Sequence, residues 1–252
     1  MTSLRAMTLT EVAPGVHRLG SEIVNWYLVR DGDRLTAVDA GLSRFHDSLE
    51  SDLAALGASP GDVEAVVLTH SDSDHTGLAP VLREAGARVL IHHGDEATLA
   101  KPGPKKGDAS PPHLVPLLVR PAFWRFMIYM TRGGGAKPPK IEGAETFAGG
   151  DVLDVPGSPR VIETPGHTAG HCALHFEGHG VVFVGDELCT WNPITGVRRP
   201  QLMPRQFNES NEACRESLAA LENLEADVVL PGHGDPWTGG AAAAVKSARG
   251  LL

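Results

Sequence analysis

The chain has 252 residues, of which 42% are hydrophobic and 21% charged, proportions that exclude global disorder, collagen and coiled coil. Its 22 Lys and Arg stand against 31 Asp and Glu, and the formal charge of -9 repels phosphate backbones, which disfavours nucleic acid as a partner. Cys172, Cys189 and Cys214 show no Cys-x-x-Cys pairing, Met1 to Thr10 has no apolar signal core, and no run reaches the ~20 apolar residues of a spanning helix; a cytoplasmic protein with reduced thiols and no transmembrane segment is expected.

Short β-rich runs at Gly15 to Leu19, Asn25 to Val29 and Leu35 to Asp39, separated by turn signals such as Asp31-Gly32-Asp33, predict an antiparallel start. Phe45, Leu49, Leu53 and Leu56 fall at helical spacing, so a helix is predicted from Ser43 to about Leu56, stopped by Gly57. Val63 to Thr69 reads as a buried strand, Thr76 to Ala85 as a helix closed by Gly86, and Arg88 to His92 as the next strand.

A different segment follows, spanning about 101–140. Lys101 to Pro116 and Gly133 to Pro139 are rich in Pro and Gly and read as flexible connectors. They bracket Leu117 to Met130, an apolar stretch with Phe123, Trp124, Phe126 and Tyr129, interrupted by Arg120 and Arg125. Four readings stand: a helix with one face in the core, a mobile lid over a substrate pocket, a membrane-surface helix, or an oligomer contact that leaves a homodimer open. Beyond it, strands are predicted at Asp151 to Val155, Arg160 to Glu163, Cys172 to Phe176 and Val181 to Val184, then a helix from about Glu209 to Leu224 and a strand from Asp227 to Leu230. Interleaved strands and helices imply layered α/β architecture in two similar halves, here one domain over 1–252 carrying an insertion.

His70-Ser71-Asp72-Ser73-Asp74-His75 follows the apolar run Val66-Val67-Leu68-Thr69. Imidazoles and carboxylates at the mouth of a strand converge when alternate residues of an extended chain point the same way. A divalent metal offsets the repulsion between Asp72 and Asp74 that would otherwise raise one of their pKa values. Thr164-Pro165-Gly166-His167, Val184-Gly185-Asp186 and Pro231-Gly232-His233-Gly234 each end another apolar run with a ligand type beside Gly, which permits close backbone approach.

Taken in order, these residues resemble the metallo-β-lactamase fold superfamily, whose signature is His-x-His-x-Asp-His followed by separate His, Asp and His ligands. The likeness runs from Asp39, in Thr36-Ala37-Val38-Asp39-Ala40-Gly41, to the helix after His233. It implies a four-layer αβ/βα sandwich with a metal site at the edges of its two sheets. By position, His70 and His167 serve a first metal, Asp74, His75 and His233 a second, and Asp186 bridges them. The implied cofactors are two divalent ions, zinc foremost, with iron or manganese as alternatives. Asp72 stands where the signature has its second His; this harder donor serves as a first-site ligand, shifts metal preference, or leaves that site empty. His171 and Asp39 are expected to hold ligands in place rather than ligate, and His92 and His93 to lie at the rim.

The resemblance implies a metal-dependent hydrolase in which a metal-activated hydroxide attacks an ester, thioester or lactone of a small, partly apolar substrate, with Asp74 passing a proton to the leaving group. No Gly-x-Ser-x-Gly or P-loop pattern competes for the catalytic role. The best-known zinc β-lactamase branch has Cys where this chain has Asp186, and glyoxalase II-like thioesterases add a helical domain where only residues 234–252 remain. Tyr27 and Tyr129 are the two tyrosines, and neither aligns with the one near the site in acyl-homoserine lactonases. The alternatives are a sulfur dioxygenase-like enzyme with one iron and a non-catalytic metal-binding protein.

Overall fold

The computed structural model of the chain describes residues 9–103, 107–108 and 115–250. The first half builds a seven-stranded sheet from β1 (Thr10–Ala13), β2 (Val16–Gly20), β3 (Asn25–Asp31), β4 (Arg34–Val38), β5 (Val63–Leu68), β6 (Arg88–His92) and β7 (Glu145–Phe147), lying side by side in chain order. The meander from β1 to β4 is antiparallel, and β4 to β7 run parallel. Parallel neighbours need long crossovers. Helix α1 (His46–Ala55) supplies the first, α2 (Ala79–Glu84) the second, and α3 (Glu96–Ala100) with α4 (Pro121–Arg132) lie in the third.

The second half forms β8 (Arg160–Glu163), β9 (Cys172–Phe176) and β10 (Val181–Gly185), then a separate hairpin of β11 (Leu188–Trp191) and β12 (Arg198–Leu202). Helix α5 (Asn211–Glu222), strand β13 (Val228–Pro231) and helix α6 (Ala241–Arg249) complete it. The sheet order is β13-β10-β9-β8, with β10 and β13 parallel. Ser210 caps α5 by accepting the Ala213 N–H at 3.2 Å, and Cys214, Leu218 and Leu221 recur along the buried face.

Period-two alternation divides the apolar residues between layers. In β3, Trp26 and Leu28 face α1 and α2, whereas Tyr27 and Val29 face the second sheet. In β10, Val181 and Phe183 face the first sheet, whereas Val182 and Val184 pack with Leu218 and Val245 of α5 and α6. The result is the expected αβ/βα sandwich, its middle filled by side chains such as Val67, Leu174 and Phe183. Cys172, Cys189 and Cys214 are buried and form no disulfide.

Several boundaries differ from expectation. Of Asp151 to Val155, only Val152 makes an isolated bridge, to Arg160, because Pro156 and Gly157 (φ 85) turn the chain immediately afterwards. The helix expected from Thr76 starts at Ala79: Gly77 and Leu78 give their N–H groups to Gly41 and Ala40 at 2.8 Å, and a Cβ on Gly77 would meet the Ser43 nitrogen at 2.2 Å. The predicted helix at Ser43 opens with a 3-10 turn, Ser43–Phe45. Strands β1, β7, β11 and β12 and helix α3 lie outside the elements that the sequence pattern predicts. Of the expected connector Lys101 to Pro116, residues 104–106 and 109–114 lie outside the described residues.

Candidate metal centre

Each candidate ligand follows the C-terminal end of a strand. His70, Asp72, Asp74 and His75 come after β5, His167 after β8, Asp186 directly after β10, and His233 two residues after β13. Beyond β5 the chain turns, with the His75 N–H donating to the Asp72 carbonyl at 3.0 Å. Alternation thus puts His70 and Asp72 on one side, whereas the turn carries the adjacent Asp74 and His75 together. Donor atoms of His70, Asp72 and His167 lie within 4.8 Å of one another, as do those of Asp74, His75 and His233, and those of His70, His75 and Asp186. Gly232 makes this convergence possible, since a Cβ there would meet Asp186 Oδ1 and His75 Cε1 at 2.5 Å.

Every histidine of these groups presents Nδ1 to an oxygen. His75 donates to Asp39 Oδ2 at 2.8 Å, His70 to Thr69 Oγ1 at 3.0 Å, His167 to Asn208 Oδ1 at 2.9 Å and His233 to the Ile23 carbonyl. The Thr69 hydroxyl can accept because it gives its own proton to Asp39, 3.0 Å away. With Nδ1 protonated, each Nε2 faces the carboxylates, as a lone pair on a neutral imidazole or as an N–H on a charged one. His167 Nε2 is 3.0 Å from Asp72 Oδ2, His233 Nε2 3.1 Å from Asp186 Oδ2, and His75 Nε2 3.4 Å from Asp186 Oδ1.

At these distances each pair is held by a proton on Nε2 or by a metal ion in its place. Burial alone would lower the pKa of His75, but Asp39, Asp186 and Asp74 outweigh it and hold the imidazole well above its ordinary value. For His233 the same contest, burial against Asp186 and Asp74, also ends in a raised pKa. Burial would raise Asp186, yet His233 and His75 hold it well below the usual carboxylate range. Burial, reinforced by His75, drives His70 well below its ordinary value, and burial raises Asp74. His70 Nε2, His75 Nε2 and Asp186 Oδ1 are buried and make no hydrogen bond among the described residues, a costly state for polar atoms. Unsatisfied nitrogen and carboxylate donors converging at one place fit a divalent metal.

The surrounding residues hold this set in place. His171 Nε2 accepts the Asp186 N–H at 3.0 Å, and its Nδ1 pairs with Thr164 Oγ1 at 2.8 Å, so it orients a ligand from behind. Asp95 accepts from Ser71 N at 2.9 Å, Thr168 Oγ1 at 2.8 Å and Gly170 N at 2.7 Å, tying the His70 loop to the His167 loop. Tyr27 gives its hydroxyl proton to the Pro231 carbonyl at 2.7 Å and steadies the turn before His233. His92 is buried, accepts from Gly94 N at 3.2 Å and lies 3.4 Å from Glu163, apart from the convergent groups. Thr69, Asn208, Asp95 and the Ile23 carbonyl had no sequence signal as orienting groups, because a single hydroxyl, amide, carboxylate or backbone oxygen forms no pattern.

A cleft of about 400 Å³ opens over the candidate ligand atoms, with Asp72, Asp74, His167, Asp186 and His233 on its polar side. Phe126 and Met130 of α4, with Met203 and Phe207, make the apolar wall. The Phe126 ring stands 5.6 Å from that of His233.

The family model of the Metallo-beta-lactamase superfamily matches residues 19–233. "Probable metallo-hydrolase YflN" of Bacillus subtilis (strain 168) is 28% identical over 257 residues, covering 95% of this chain and 91% of that protein. A hydroxyacylglutathione hydrolase of Cereibacter sphaeroides is 30% identical over 171 residues, 67% of this chain but 47% of its relative. Among solved structures, a metallo-beta-lactamase family protein from Thermus thermophilus superimposes with a TM-score of 0.67 at 26% identity, covering 94% of this chain and 79% of that one. On its layered fold, its convergent histidines and aspartates and this match, the chain belongs to the metallo-beta-lactamase superfamily.

Proposed function

We propose that the chain is a metal-dependent hydrolase acting on an ester, thioester or lactone of a small, partly apolar substrate. The observation that carries this is the meeting of the orphaned donors His70 Nε2, His75 Nε2 and Asp186 Oδ1 at the base of a cleft with one apolar wall. The relative named a hydroxyacylglutathione hydrolase supports hydrolysis at an acyl group. In this reading His70, Asp72 and His167 would hold one divalent ion and Asp74, His75 and His233 a second, with Asp186 placed between the two sets. Zinc suits the imidazoles, and the three aspartates also admit iron or manganese. Bound there, the ions would supply Lewis-acid charge and a water acidified to near neutral pH.

The chain's own groups do the rest. Phe126, Met130, Met203 and Phe207 take the apolar part of the substrate and exclude water beside the scissile bond. Asp74 faces the cleft, and its carboxylate would take the proton that the attacking water releases and hand it to the leaving group. Asp39, Asn208 and the Ile23 carbonyl keep Nδ1 of their histidines protonated. Helix α4 covers one side of the cleft as a lid.

Asp72 is the ligand candidate that differs most in setting, with 31% of its side chain exposed against 8% for Asp74 and 4% for Asp186. On this reading the more buried Asp74 set would bind metal first. Metal content of the purified chain beside an Asp72→His variant tests the assignment. Two equivalents in the parent support Asp72 as a ligand, whereas one in the parent and two in the variant refute it. A panel of acyl esters, thioesters and lactones tests the activity; the hydrolase reading fails if no member is turned over by the metal-loaded parent, or if Asp186→Ala leaves turnover intact.

A further inference from the structure

Helix α4 is apolar on two opposite sides. Its inward side packs Phe126 against the site, while Trp124, Met127 and Ile128, 47%, 37% and 47% exposed, form a strip facing solvent. The turn before it adds Leu118 and Val119, 60% and 79% exposed, and Trp124 Nε1 donates to the Leu118 carbonyl at 2.9 Å, joining turn and helix into one patch. A surface helix normally turns polar residues outward, and a contiguous apolar patch marks a contact.

Charge says what kind. Between Asp108 and Glu142 the sequence has no acid but carries Arg120, Arg125, Arg132, Lys137 and Lys140, in a chain whose overall charge is -9. Arg125 is occupied by Glu22. Arg120, Arg132, Lys137 and Lys140 are exposed, and no carboxylate pairs with them among the described residues. Beside Arg125 and Arg132 runs a groove of about 480 Å³ with Ile23, Trp124, Ile128 and Tyr129 in its lining.

We propose that this face seats on an anionic lipid bilayer, lying in its surface plane. Leu118, Val119, Trp124, Met127 and Ile128 enter the boundary between headgroups and acyl chains, and Arg120, Arg132 and Lys137 meet the lipid phosphates. No helix among the described residues is long and apolar enough to cross a membrane, so the contact is superficial. Nucleic acid would leave the aliphatic strip unused, and a two-fold contact with a second copy would set the same unpaired cations against each other. The negative charge of the remaining chain is screened beyond ~8–10 Å at physiological salt, so the local cations decide. The inference does not depend on the hydrolase reading, because it uses the side of α4 that faces away from the cleft.

The test is flotation of the full chain with vesicles of phosphatidylglycerol and phosphatidylcholine, against phosphatidylcholine alone, at ~0.1 M salt, where screening is moderate. Binding is expected to the anionic vesicles, lost at ~1 M salt, with a blue shift of tryptophan emission that Trp124→Phe removes; Trp26 and Trp191 are buried, and Trp237 is half-buried against the core. Each cation contributes about fivefold, so Arg120→Gln, Arg132→Gln and Lys137→Gln together weaken binding about a hundredfold. Circular dichroism verifies that the triple variant folds, and the salt and Trp124→Phe arms stand without it. Equal binding to neutral vesicles, no binding to either, a concentration-dependent dimer that Trp124→Glu abolishes, or RNA capture in place of lipid would each overturn the proposal.

Discussion

Replacing Asp39 by Asn changes one atom and should cost the site most of its second-set metal affinity. Asp39 accepts His75 Nδ1–H on Oδ2 and Thr69 N–H on Oδ1, each at 2.8 Å, and both oxygens lie 3.0 Å from Thr69 Oγ1. An asparagine offers one oxygen and one NH2, so one side of it must face a donor. If the NH2 faces Thr69, a buried N–H loses its acceptor. If it faces His75, the imidazole proton moves to Nε2 and removes the lone pair that points at Asp74 and Asp186. The backbone does not confuse the result, because Asp39 has φ 59 and Asn tolerates that region. Loss of such an orienting partner costs about 10–100-fold in metal affinity, or about 1.4–2.7 kcal/mol. Competition of the full chain with a chromogenic chelator for zinc reads this directly, and thermal unfolding in excess chelator reads folding separately, where about 1.5–3 kcal/mol is at stake. Zinc affinity within twofold of the parent would refute the claim that Asp39 aims His75.

Gly232→Ala should lower zinc stoichiometry by elemental analysis, because its Cβ would press on Asp186 Oδ1 and His75 Cε1 at 2.5 Å, and should cost about 1–3 kcal/mol in folding; a full zinc complement contradicts the packing. Glu187 is buried with both carboxylate oxygens unbonded among the described residues, and burial holds its carboxyl well above the ordinary value of 4.5. As pH rises past that ordinary value, the unfolded chain releases a proton that the folded chain keeps, so this residue's contribution to stability falls toward its folded pKa. Glu187→Met should therefore stabilise the protein, by about 1–3 kcal/mol, and more at pH ~8 than at pH ~4 in urea unfolding; a smaller gain at the higher pH rejects it. Zinc at about a hundred times its dissociation constant should raise the unfolding free energy by about 2.7 kcal/mol, reversed by chelator, whereas equal urea midpoints with and without zinc would count against a folded-state site.

What the sequence disclosed, and what it hid, follow from how each residue acts. The strands β3, β5, β9 and β10 were legible because each is a mostly apolar run bounded by turn residues. The candidate ligands were legible because His and Asp at successive strand ends make a pattern that no core or cap produces. Asp95 was not, since its three bonds go to backbone and hydroxyl groups of distant loops and leave no spacing to read. Asn208 is equally silent: its role depends on its NH2 being occupied by the Met203 carbonyl and Asn211, which turns its oxygen to His167. The short strands β1 and β7 are the edges of a wide sheet. Neighbours create such strands, and local propensity does not.

His70, Asp72, Asp74 and His75 hang from the first sheet, while His167, Asp186 and His233 hang from the second. An ion shared between them would rivet the two slabs at one rim, whereas across their middle the slabs meet through side-chain grease. Prising the slabs apart would then demand that the rivet come out first. The lifetime of the folded chain under heat would accordingly follow how fast the ion escapes, and a tighter-held ion would lengthen that lifetime without altering a single apolar contact.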